Sequence, residues 1–137
     1  SECVGDAKWF IDKAVGYAKD RHVFGRAIGQ NQGVQFPLAQ AHMHVAAADL
    51  MRYRAAALFD AGQPCGPEAT MAKQLAAEAS WEAGNAALQT FGGYGFAVEH
   101  DIERKLRETR LYQIAPISTN LVLAYLAEKV LGLPRGF

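Results

Sequence analysis

The chain has 137 residues, half of them hydrophobic and a fifth charged, which suits one globular domain and excludes a disordered polypeptide. Fourteen Lys and Arg balance fourteen Asp and Glu, so nothing draws the chain generally to nucleic acid or an anionic membrane. Cys3 and Cys65 form no C-x-x-C pair, which excludes a disulfide framework or zinc site and fits a reducing cytoplasm. No apolar run is long enough to span a bilayer.

The chain opens on Ser1-Glu2-Cys3-Val4 with no initiator Met, which reads as a piece of a longer protein. Val4, Ala7, Ile11, Ala14 and Ala18 recur at helical spacing and predict a first helix to about Arg21. Trp9 falls on the opposite face, near Lys13 and Asp20; a contact with a partner domain and a lone exposed aromatic both remain open. Residues 22–33, rich in glycine, lose the period and form a loop. A long second helix is expected from Val34 to about Ala61, with Pro37 in its first turn. Gly62, Pro64, Gly66 and Pro67 break it. Pro67 opens a third helix, with Glu68 near its positive end. This helix runs to about Thr90 with a small-residue stripe of Ala72, Ala76, Ala79, Ala83 and Ala86. The glycines of "FGGYGF" end it. A shorter helix covers roughly 99–112, and a last one runs from about Ser118 to Leu131. No strand pattern of any length appears. Short connections make neighbouring helices antiparallel, so the expected fold is all-α, an up-and-down four-helix bundle with an additional short helix.

Few residues offer catalytic or metal chemistry directly. Helical di-metal sites use Glu-x-x-His, which does not occur here. His42 and His44 are two apart on a helix and face different ways, and His22 and His100 have no ligand-like neighbours in sequence; no metal is expected. No nucleophile elbow is present. Arg104, Lys105, Arg107 and Arg110 are interleaved with Glu103 and Glu108, as on a solvated or interfacial helix face. "FGGYG" follows a helix rather than a strand, so it is not a dinucleotide fingerprint, although its bare backbone permits close approach by a ligand. "RHVFGRAIGQNQ" combines Arg21, Phe24, Asn31 and Gln32 on a glycine-hinged loop. A guanidinium grips phosphate, a ring stacks on a base, and amides bond polar ring edges. A nucleotide-like ligand is permitted.

Three motifs in order, R-x-x-F-G-x-x-I-x-x-x-Q, Q-x-F-G-G-x-G and R-x-x-R-L-Y-Q-I, run from Arg21 to Ile114. The arrangement resembles the C-terminal helical domain of the acyl-CoA dehydrogenase family. The resemblance implies FAD bound between domains and subunits, a homodimer or homotetramer, and α,β-dehydrogenation of an acyl-CoA. An electron-transfer flavoprotein is the implied acceptor. By position, Arg21 is implied to hold the cofactor pyrophosphate, with Phe24 beside the cofactor and Asn31 and Gln32 as a polar pair. Gln89, Gly92 and Gly93 are implied to reach the cofactor of the adjacent subunit, and Ser118 and Asn120 the adenosine side. Val23 stands where several members carry Thr. Many members read Tyr-Glu-Gly-Thr at the crossing before the last helix, and that Glu is the catalytic base. Here the crossing reads Ala115-Pro116-Ile117-Ser118, and Pro116 accepts no proton. Isovaleryl-type members instead carry the base at a position that would precede Ser1. This leaves an enzyme with an upstream base, inactive as this piece by itself, or a non-catalytic flavin- or acyl-CoA-binding or assembly member of the scaffold. Dehydrogenase and oxidase are not distinguished.

Overall fold

The computed structural model describes residues 1–136. The chain forms α1 (Glu2–Asp20), a two-residue-per-strand antiparallel hairpin β1 (His22–Val23) and β2 (Arg26–Ala27), α2 (Gln32–Asp60), α3 (Gly66–Phe91), α4 (Ile102–Arg110) and α5 (Thr119–Tyr125). A π turn over Leu126–Val130 prolongs α5.

Cross-helix pairs fix the directions. Lys8 on α1 meets Asp49 at 2.7 Å, and Arg52 reaches the Ser1 hydroxyl at 3.3 Å. The start of α1 therefore lies beside the second half of α2, and the two are antiparallel. Arg54 faces Glu68 and His44 faces Glu82, so α2 and α3 are antiparallel as well. Ser80 on α3 bonds Thr109 on α4, and both are fully buried. The helices α1 to α4 form the expected up-and-down bundle, with α5 added at one end.

The predicted apolar faces are the core. Val4, Ala7, Ile11, Ala14 and Ala18 are buried on α1, and the five alanines of the α3 stripe are buried opposite them. The stripe is small because the helices approach closely. At Gly84 an added Cβ would lie 2.7 Å from Leu106 Cδ1 and 3.2 Å from the Phe10 ring, so a side chain there would displace Leu106 and crowd Phe10 where α1 and α4 close over α3.

The structure departs from the expected elements in four places. α2 begins at Gln32 rather than Val34, so Pro37 is its sixth residue. It lies past the first turn and offers no N–H to the helix ladder. The loop after α1 carries the short hairpin. α4 is confined to Ile102–Arg110 and flanked by 3-10 turns. Trp9 is half-buried against the core, edge-on to Phe10 at 5.3 Å and covered by Lys13. Its amphipathic ring is used within the chain.

Three of the four basic residues of the α4 cluster are paired in place, and Arg110 instead bonds Gln113 and lies over the Trp81 ring. Arg104 pairs with Asp101 and Glu108, Arg107 with Glu103, and Lys105 with buried Asp6 on α1. Glu108 accepts from Arg104 and Lys105, a structural role. Among the described residues, no helix is long and apolar enough to cross a membrane.

Candidate functional site

The last turn of α1 and the glycine-rich cap of α3 flank an open cavity of 490 Å³. Arg21 stands at the end of α1, its N–H bonded to the Tyr17 carbonyl and its own carbonyl accepting from Ile28. These bonds close the loop back on the helix. The Arg21 guanidinium carbon lies 5.4 Å from the Tyr94 ring centroid, and it has no carboxylate partner among the described residues. Across the cavity are Gly92 and Gly93. Gly92 adopts φ 58°, which ends α3. A Cβ at either glycine would meet nothing within 4 Å, so the space before this backbone is open.

An aromatic wall supports the cavity. Tyr17 stacks on Phe91 with centroids 4.1 Å apart, and His100 packs 5.1 Å from Phe91 and 6.0 Å from Tyr94. Nothing in the sequence pattern marks Tyr17, and His100 carries no ligand-like neighbours in sequence. Tyr94 lay within a quoted motif, but its pairing with Arg21 depends on α1 and α3 running side by side.

The hairpin tip beside the cavity is strained and exposed. Phe24 has φ 54° and Gly25 φ 78°, the positive pair that a tight two-residue hairpin turn demands. For a phenylalanine this conformation costs about 1–3 kcal/mol. Its ring is 99 % exposed, so the turn displays an aromatic ring away from its own domain.

The other predicted residues are dispersed. Asn31 is occupied by the loop: its Oδ1 accepts from Arg26 at 2.5 Å and its Nδ2 donates to the Ile28 carbonyl at 3.1 Å. Gln32 is exposed at the start of α2. Gln89 lines a separate 660 Å³ groove with Phe36, Gln40, Trp81 and Asn85. Ser118 caps α5, its hydroxyl accepting from the Leu121 N–H at 3.4 Å, and Asn120 is exposed as the second residue of that helix. The structure therefore brings Arg21 together with Gly92 and Gly93, and leaves Gln89, Ser118 and Asn120 outside that cavity. His42 is exposed, and His44 is 2.5 Å from Glu82.

Pro116 is exposed at the other end of the bundle, where it lines a 390 Å³ cavity with Ser1, Glu2, Cys3, Arg52, Lys73 and Tyr112. Burial, a hydrogen bond with Glu2 and the nearby Asp6 charge raise the Tyr112 hydroxyl above the usual tyrosine range. Burial also pushes the Cys3 thiol up and the Lys73 ammonium down.

A free guanidinium facing open glycine backbone over an aromatic wall fits a diphosphate with an attached ring system, the chemistry of FAD. Residues 1–131 match the family model described as acyl-CoA dehydrogenase, C-terminal domain. The chain is 42 % identical to acyl-CoA dehydrogenase FadE12 of Mycobacterium tuberculosis, over all of this chain and 36 % of the relative. It superposes on the glutaryl-coenzyme A dehydrogenase glutaryl-CoA complex with TM-score 0.92 and 34 % identity, covering 97 % of this chain and 34 % of that one. The FAD complex of PigA gives TM-score 0.91 and 30 % identity, covering 96 % and 34 %. The chain thus spans about a third of the length of these relatives. It belongs to the acyl-CoA dehydrogenase family and corresponds to that family's C-terminal helical domain.

Proposed function

We propose that this domain grips FAD and assembles subunits in a flavoenzyme that oxidises acyl-CoA thioesters to their α,β-unsaturated products. The carrying observation is that the Arg21 guanidinium, without a carboxylate partner among the described residues, lines one cavity with Gly92 and Gly93. Arg21 binds the diphosphate by charge-assisted bonds, and the glycine backbone, with no side chain in the way, lets it approach closely. Phe24 packs against the cofactor from the hairpin tip, while Asn31 and Gln32 hold the loop and the polar ring edge. Gln89, Ser118 and Asn120, each outside the Arg21 cavity, serve the adenosine side or a neighbouring subunit's cofactor. When bound, FAD supplies the hydride acceptor. Pro116 leaves the α-proton to a carboxylate preceding Ser1, and an electron-transfer flavoprotein takes the electrons onward.

The subunit contact runs along α2. This helix buries Leu38, Ala41, Val45 and Ala48 on one side. It exposes Phe36, Met43, Leu50 and Tyr53 on another, with Ala39 and Ala46 between them and Ala57 one step beyond. The exposed set alternates by three and four residues, the spacing of a helix-pairing seam. A second copy of the chain supplies the partner helix, giving a homodimer or homotetramer.

Pro116 also favours a second reading, a flavin- or acyl-CoA-binding member without a base. Anaerobic addition of an acyl-CoA panel to the FAD-loaded full-length protein separates the two. Bleaching of the flavin absorbance supports the enzyme, and its absence across the panel supports the non-catalytic reading.

A further inference from the structure

We propose that the cavity beside Pro116 receives the far end of the acyl substrate, and that this end carries a carboxylate held by Lys73. The inference rests on the acyl-CoA reading above. Lys73 projects from α3, and its Nζ is buried with no hydrogen-bond partner among the described residues. A buried ammonium is costly until an oxygen acceptor meets it. Burial already pushes this ammonium below the usual lysine range.

The second cation of the cavity is taken. Arg52 donates to Asp49 Oδ1 from Nε at 2.8 Å and from Nη2 at 2.6 Å. Lys73 is therefore the cation left to neutralise an incoming anion. The rim and the interior differ in exposure: Ser1, Glu2 and Pro116 are exposed, whereas Lys73 is half-buried with its charged tip covered. Ala72 and Ala76 also line the cavity and give it an apolar wall suited to methylene groups. Pro116 occupies the family's base position, so the reacting carbons lie near the rim and the rest of the chain is what enters. Glu2 at the rim repels a carboxylate held there, which leaves the Lys73 end as its favourable place.

The test uses the FAD-loaded full-length protein with adipoyl-CoA and hexanoyl-CoA, which share a chain length and differ in the terminal group. Anaerobic flavin bleaching is expected with a higher second-order rate constant of flavin reduction for adipoyl-CoA. Lys73→Met should cut that preference about tenfold or more and spare hexanoyl-CoA, and Lys73→Gln should keep part of it. Equal rate constants of flavin reduction for the two thioesters in the parent, or an intact preference in Lys73→Met, overturns the proposal. A second readout is the NMR signal of the Lys73 ε-carbon in the parent protein on adding adipate. A saturable shift confined to Lys73 supports a carboxylate site even if neither thioester bleaches the flavin, an outcome that would sink the acyl-CoA reading instead. No shift overturns the site itself, and this holds should both variants fail to fold.

Discussion

Arg21 and Tyr94 meet across the candidate cofactor cavity, guanidinium carbon to ring centroid 5.4 Å. The ring steadies the charge without neutralising it, which keeps the guanidinium available to a phosphate. A cation–π contact at an exposed site contributes about 0.5–1 kcal/mol. Tyr94→Leu should therefore weaken FAD binding about two- to fivefold, and Tyr94→Phe should leave it nearly unchanged. Flavin fluorescence titration of the full-length apoprotein measures both.

Gly92 and Gly93 should separate stability from binding. Gly92 has φ 58° and ψ −135°, a conformation that costs a side-chain-bearing residue about 1–3 kcal/mol. Gly92→Ala should lower the urea midpoint accordingly. A Cβ at Gly93 meets nothing within 4 Å, and no positive φ constrains that residue. Gly93→Ala should unfold within about 0.5 kcal/mol of the parent yet bind FAD more weakly, because the methyl group occupies the ligand's side of the backbone.

The α2 seam predicts an assembly defect. Leu50 is 73 % exposed at the middle of the seam. Leu50→Glu should shift sedimentation of the full-length protein toward monomer and leave its helical circular dichroism unchanged. An unchanged sedimentation coefficient at the lowest detectable concentration would remove α2 from the interface.

The Asp6–Lys105 pair, 2.5 Å apart and joining α1 to α4, predicts an alkaline weakness. Burial works against the Lys105 charge, but the hydrogen bond and charge of Asp6, with Glu108, outweigh it and hold Lys105 above the usual lysine range. A folded value above the unfolded one means the stabilisation is complete below the ordinary lysine pKa. It is lost as pH rises through the folded value. Asp6→Asn should cost roughly 3 kcal/mol at neutral pH and bring the alkaline loss to lower pH. Urea titrations from neutral pH to about 11 check both.

The bundle was legible because period and burial coincide. Val4 to Ala18 on α1 and Ala72 to Ala86 on α3 are one-sided stripes, and the structure buries each member. The bounds were less legible at Pro37, where helix geometry persists past the first turn despite the missing N–H. The loop motif brought out Arg21, and the cap brought out Gly92 and Gly93. Their convergence follows from α1 and α3 running parallel, which no local pattern encodes. Lys73 was invisible for a related reason. It follows the stripe residue Ala72 on an ordinary helix, and only the crossing of α1 and the 111–116 segment over it covers its charge.

If Arg21, with Gly92 and Gly93, holds the flavin diphosphate, FAD affinity depends on its charge. FAD titration of the full-length apoprotein and its Arg21→Ala variant, compared at matched urea stability, should show a loss of about 10- to 100-fold, as expected for removing a charge-assisted pair. Equal affinity in parent and variant would contradict it and leave Arg21 as the residue that closes the loop onto α1.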